Sequence, residues 1–189
     1  MNGCRNLTDE EVSKVINSFT GRYEHRNRLL FVLGISTGFR ISELLSIKVS
    51  DVWDGDRVLG SVRVQAKNTK TKEGREMRLN TSAKKAIQQW IDDPARPESE
   101  YLFSSRKGGA ISRQQAHDVL KQAFEGLDGT LATHTMRKTF ATRLMDHPDI
   151  DIHKVSRYLG HKNVEVTERY LGIETSKDAE YMESIAVEF

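Results

Sequence analysis

The chain has 189 residues, 37% of them hydrophobic, and a formal net charge of +2. That is enough apolar content for one good-sized core, and it excludes a disordered chain. A single cysteine, Cys4, excludes an internal disulfide; MNGCRNLTDEE has no apolar h-region, and the longest apolar run, Leu29 to Ile35, falls short of the roughly 18 residues that cross a bilayer, so a soluble, cytoplasmic protein is expected.

In chain order, the first predicted element is a helix on LTDEEVSKVINSF. Thr8 and Glu11 make a capping box, Leu7 can staple to Val12, and Val12, Val15, Ile16 and Phe19 share one stripe. A second helix is predicted over about Arg26 to Ser36, closing at Gly38, after which RISELLSI restarts helical spacing through Ile41, Leu44, Leu45 and Ile47. Arg40 thus stands at a helix start, beside a turn. DGDRVLGSVRVQAK and EGREMRLN then alternate apolar and polar residues around Asp-Gly and Glu-Gly turns, the pattern of a small antiparallel sheet. The sheet carries a basic stripe, with nine Lys or Arg between Arg57 and Lys85 against two acids, Glu73 and Glu76. Such a density suits either a phosphate-tracking surface or a solvated hairpin.

Helical spacing returns at about Ser82 to Asp92, and the acidic loop DDPARPESE leads through a short YLF strand to a helix on SRQQAHDVLKQAF, capped by Ser112 and Gln115. From Thr133 on, successive short helices are predicted over 133–146, 151–159, 163–171 and 176–187. The class is α+β, mainly α-helical with a small antiparallel β-sheet inserted early.

Two stretches offer chemistry. HTMRKTFATRL places His134 and Arg137 at i and i+3, on one helix face beside the apolar row Met136, Phe140 and Leu144, a pairing that also suits an ordinary surface. LGHKNVEVTERYLG contains one candidate covalent nucleophile, Tyr170. A phenol of pKa about 10 is a poor nucleophile unless other groups act on it.

Taken in order, TGFRISELL, HTMR and LGHKNVEVTERY resemble the catalytic domain of the tyrosine recombinases, the phage-integrase family, and the resemblance spans nearly the whole chain. It implies that family's catalytic core fold over 1–189, without the amino-terminal core-binding domain that clamps the other face of DNA in many members. The chain then reads as an excised domain or as a short member like the fimbrial DNA invertases, which SRKGGAISRQQAH also resembles. The implied function is a site-specific DNA recombinase or integrase that cleaves and rejoins DNA through a 3′-phosphotyrosine intermediate. The alternatives are an inert DNA-binding regulator of the same fold and a strand-passing enzyme like the type IB topoisomerases.

Carried over by motif, the resemblance assigns Arg40 after its Thr-Gly turn, with Glu43 in support, then the His-x-x-Arg pair His134 and Arg137. It assigns His161 after Leu-Gly, and Tyr170, nine residues on, as the nucleophile. The family's hairpin lysine, which protonates the leaving 5′-oxygen, falls on Lys70 by its Lys-Thr before the turn, with Lys72 as the alternate. Lys67, Lys72 and Arg75 are expected to contact DNA. Lys138 departs from the histidine that many relatives have there.

The chemistry of phosphodiester attack agrees. Negative charge grows on the non-bridging oxygens in the transition state, so preorganised cations are the main need, and arginine forks bind two oxygens while staying ionised. His134 then takes the tyrosine proton or orients the phosphate. Exchange of a phosphodiester for a phosphotyrosine conserves bond energy, so no ATP, cofactor or metal is expected. Gly55 and Gly60 lack the Lys-Ser/Thr of a P-loop, and His147 and His153 fit no ligand pattern. The expected partner is double-stranded DNA, with assembly into a tetramer on it. An apolar stripe of Ala179, Met182, Ala186 and Phe189 on the acidic terminal segment suits docking on a neighbour or packing on its own domain.

Overall fold

Helix α1 (Asp9–Ser18) begins at the expected capping box: Thr8 Oγ1 accepts from the Glu11 amide at 3.2 Å, and the Glu11 carboxylate accepts from the Thr8 amide at 2.9 Å. Arg5 also bonds Glu11 and, with the Thr8 amide, holds its carboxyl down at about 2. Leu7 and Val12 are both buried, as a staple requires. The computed structural model describes residues 4–65 and 74–172. Lys67, Lys70, Lys72 and the helix expected over 176–187 lie outside the described residues.

Helix α2 (Glu24–Thr37) is apolar on all sides from Leu29 to Ile35, and a helix of that kind belongs at the centre of a domain. It packs on α4 (Thr81–Ile91) and α6 (Thr133–Met145). At Gly34 a Cβ would stand 2.6 Å from Met136 Sδ, so glycine permits the close α2–α6 approach. Gly38 ends α2 in the left-handed region, φ 62°, with its amide donating to Gly34 O at 3.0 Å.

Helix α3 (Ile41–Leu44) is shorter than the apolar spacing suggests. Ser46 Oγ donates to Glu43 O, and Ile47 instead joins an extended segment: the Leu102 amide donates to Ile47 O at 2.9 Å and the Val49 amide to Glu100 O at 2.8 Å. The YLF strand expected there is therefore only an isolated bridge, Lys48 to Tyr101, followed by a second at Ser104 and Ala110. Trp90 on α4 locks this connection by donating to Leu102 O at 2.7 Å.

The described sheet has two antiparallel strands, β1 (Ser61–Val64) and β2 (Arg75–Arg78), with Val62 opposite Met77 and Val64 opposite Arg75. Val62, Val64 and Met77 are buried, while Arg63, Glu76 and Arg78 face solvent. Helix α5 (Arg113–Ala123) carries the expected Ser112–Gln115 box. Helices α7 (Ile152–Leu159) and α8 (Val164–Leu171) pack on each other and on α6, and each ends at a left-handed glycine, Gly160 or Gly172. No described helix is long and apolar enough to cross a membrane.

Candidate active site

Two chain turns and a helix start converge where α2 ends: the α2–α3 turn, the α7–α8 turn and the start of α6. Arg137, only 3% exposed, joins them. Its Nη1 donates to Gly38 O at 2.6 Å and its Nη2 to Leu159 O at 2.5 Å. Both acceptors lie at the carboxyl ends of helices, where unpaired carbonyls carry partial negative charge and hold a cation without a carboxylate. Burial, then the charges of Arg40 and Arg75, push Arg137 down to about 9, still charged at neutral pH.

Arg40 caps α3 through Glu43: its amide donates to Glu43 Oε2 at 2.7 Å and its Nη1 to Oε1 at 3.1 Å. Glu43 is fully buried and is shared with Arg75, whose Nη2 bonds Oε2. Arg75 Nη1 donates to Tyr158 O at 2.7 Å, and its guanidinium lies 5.1 Å from the Phe39 ring centroid. Expected as a DNA contact, Arg75 has a side chain only 9% exposed, set within the cluster. The register explains this placement, since Arg75 shares a strand face with Met77 and sits opposite Val64, both in the core. The neighbouring Arg63 and Arg78 do face solvent.

His161 opens the turn after Gly160. Arg137 Nη2 lies 3.2 Å from His161 Nε2, and a guanidinium can only donate, so Nε2 accepts with its lone pair. Nδ1 therefore carries the proton and donates to Thr167 Oγ1 at 2.8 Å. Burial and the charges of Arg137, Arg40 and Arg75 push His161 down to about 4, so the ring is neutral at pH 7. Fully buried Thr167, one helical turn before Tyr170, is a site residue that the motif reading passes over. Its signal was a β-branched hydroxyl at i−3 from the candidate nucleophile, on the face that α8 turns inward.

Tyr170 packs edge-on against His161, ring centroids 5.8 Å apart, and its hydroxyl donates to the His134 carbonyl at 3.3 Å. Burial pushes the phenol up to about 12, opposed by the charges of Arg137 and Arg40. His134 enters the site through its carbonyl; its ring is held below the ordinary histidine value by lost hydration and by Arg137 and Arg40. The structure thus brings together Arg40, Glu43, Arg75, His134, Arg137, His161 and Tyr170. Three arginines against one carboxylate leave an excess of positive charge beside a phenol, the makings of a site for a phosphate ester.

Residues 5–177 match the phage integrase family, and the chain belongs to it. It is similar to the probable integrase/recombinase YoeC of Bacillus subtilis, 36% identical over 152 residues, which cover 79% of this chain and 78% of that protein. It is also 36% identical over 155 residues to the tyrosine recombinase XerD of Corynebacterium glutamicum, covering 78% of this chain and 48% of that one. Among solved structures, the XerH site-specific recombinase bound to difH substrate in a pre-cleavage complex superposes with a TM-score of 0.74 at 23% identity, over 95% of this chain and 54% of that chain. That likeness carries the fold. The chain spans about half the length of these XerD and XerH relatives.

Proposed function

We propose that residues 1–189 act as the catalytic domain of a site-specific DNA recombinase that cleaves and rejoins double-stranded DNA through Tyr170. The Tyr170 oxygen attacks the scissile phosphorus, the bond from phosphorus to the 5′-oxygen breaks, and a 3′-phosphotyrosine and a free 5′-hydroxyl form. The reverse attack by a 5′-hydroxyl of another strand restores the phosphodiester and frees the phenol. The single observation that carries this reading is the convergence of the Arg137 fork, Arg40, His161 and the Tyr170 hydroxyl on one cationic corner.

Arg40 and Arg137 hold the non-bridging oxygens, each contributing on the order of 3 kcal/mol, about a hundredfold in rate. His161 accepts a hydrogen bond in the free site; a bound phosphate supplies the negative charge that favours its protonated form, which then donates. His134 receives the tyrosine proton or orients the phosphate. Lys70, with Lys72 as the alternate, protonates the leaving oxygen, a role that rests on the hairpin motif. Lys67, Lys72 and the exposed Arg63 and Arg78 track the DNA backbone in this reading. The working assembly is a tetramer on two duplexes in the cytoplasm, with the stripe of Ala179, Met182, Ala186 and Phe189 docked on a neighbour.

The test is covalent capture. The full chain is incubated with a library of nicked duplexes bearing a randomised core, adducts that survive denaturation are recovered, and both the DNA and the modified peptide are sequenced. The reading expects a restricted set of sequences joined by their 3′-phosphate to Tyr170 and no adduct from Tyr170→Phe. An adduct that persists in Tyr170→Phe, or duplex binding with no adduct at all, would contradict it.

A further inference from the structure

Glu43 places a full negative charge, with no exposure to solvent, directly against the arginine that the proposed function assigns to the scissile phosphate. Left as the only partner of Arg40, that carboxylate would cancel the charge Arg40 needs for a phosphate. The geometry divides the work differently. Arg75 is the inward partner, its side chain 9% exposed, whereas Arg40 is 23% exposed and faces outward. Arg75 is held by Glu43, by the Tyr158 carbonyl and by the Phe39 ring, with its buried Nε left without a partner, and a phosphate that drew it outward would leave the buried carboxylate to Arg40 alone. Close packing reinforces the placement: at Gly160, φ 62°, a Cβ would stand 2.9 Å from Arg75 Cδ. His161 is the next residue.

We propose that Arg75 is a positioning residue, the counter-ion of Glu43, which leaves the Arg40 charge free for phosphate and fixes the Gly160–His161 turn through the Tyr158 carbonyl. This rests on the assignment of Arg40 to the phosphate. It differs from a DNA-contacting role for Arg75 in one decisive respect: most of the deleterious effect of losing Arg75 comes from the carboxylate left behind. Removing the Glu43 charge as well therefore repairs that part, leaving only the lost bond to the Tyr158 carbonyl. Gln in place of Glu43 keeps an oxygen for the Arg40 amide, and a neutral Met–Gln pair leaves no buried ion unpaired.

The experiment compares Arg75→Met, Glu43→Gln and the double variant by two readouts. The first is inorganic phosphate binding to the DNA-free chain, followed by the His161 ring resonance. The second is single-turnover adduct formation on the duplexes recovered by covalent capture, with the salt dependence of duplex binding measured alongside. Arg75→Met is expected to weaken phosphate binding and to slow adduct formation by about a hundredfold, the scale of a mispositioned catalytic group. The double variant is expected to recover to within about tenfold of the parent in both, and its salt slope of duplex binding is expected to match the parent's, because Arg40 is again free for phosphate. A double variant as impaired as Arg75→Met, or one whose salt slope is lowered by about one, overturns the proposal in favour of direct contact with DNA. If Arg75→Met does not fold, the double variant decides: a folded, phosphate-binding double variant supports the assignment, and an unfolded one overturns it. The phosphate readout needs no target sequence, so failure of the parent chain to form an adduct counts against the recombinase reading alone.

Discussion

The cationic side of the site and its nucleophile are built in opposite ways. Arg137 is set before any substrate arrives, with both Nη groups on helix-end carbonyls and the guanidinium buried between two turns. Tyr170 rests on a short helix, its hydroxyl on a single 3.3 Å bond to a backbone carbonyl, and burial pushes its pKa up to about 12. The difference teaches where the free energy of folding is used. Electrostatic stabilisation works only if the dipoles and charges need not reorganise during reaction, so the cations are fixed in advance. A phenolate fixed beside three arginines would be a standing nucleophile; a neutral phenol waits for the phosphate.

The largest effect that probes this contrast is expected at Arg137. Lysine keeps the charge but cannot reach Gly38 O and Leu159 O together, so Arg137→Lys is expected to lower single-turnover adduct formation by about 100- to 1,000-fold on the captured duplexes. Near-parental rates in that variant would mean that charge alone, without the preset fork, suffices.

Next comes the turn that supplies one of those carbonyls. Gly38 has φ 62°, and a Cβ there would stand 2.3 Å from Phe140 Cδ1. Gly38→Ala is therefore expected to cost about 2 to 4 kcal/mol in denaturant unfolding, from left-handed strain and overpacking. A variant as stable as the parent would show that the α2–α3 turn relaxes freely and is not the rigid base described.

A smaller effect is expected at Thr167. Loss of its hydroxyl in Thr167→Val leaves His161 Nδ1–H without an acceptor and frees the tautomer. Adduct formation is expected to fall about tenfold, with Thr167→Ser restoring it, as for loss of one general hydrogen-bonding group. Equal loss in both variants would assign Thr167 to packing.

The pH dependence of stability is the mildest of these effects. His161 is held at about 4 in the folded chain, well below its ordinary value, so between about pH 6.5 and 4 the unfolded chain binds the extra proton. Stability from this group is present above that window and is lost as pH falls through it. The melting temperature is expected to drop from pH 6.5 to 4 less steeply in His161→Gln than in the parent; identical slopes would place the His161 ring in water.

Much of this was legible because local chemistry fixes it. The Thr8–Glu11 and Ser112–Gln115 boxes and the Gly38 stop depend on residues within a few positions of one another, and each forms as read. The ordered motifs likewise located Arg40, His134, Arg137, His161 and Tyr170, which the fold gathers into one corner. What escaped depends on long-range partners. Ile47 leaves its helical spacing because the 100–102 segment offers it a backbone partner, and Arg75 looks like one of nine basic residues until the register puts it opposite Val64. The strand alternation REMR did contain that signal, since Arg75 and Met77 share a parity.

The contrast between preset cations and a waiting nucleophile is tested most directly by the ionisation of Tyr170 in the free chain. The Cζ resonances of labelled tyrosines, assigned with Tyr170→Phe, are followed through the range around pH 10 where an ordinary phenol titrates. Tyr170 is expected to remain protonated while a solvent-exposed tyrosine in the same sample ionises. A Tyr170 that ionises at or below the ordinary value, before any phosphate is bound, would contradict the account.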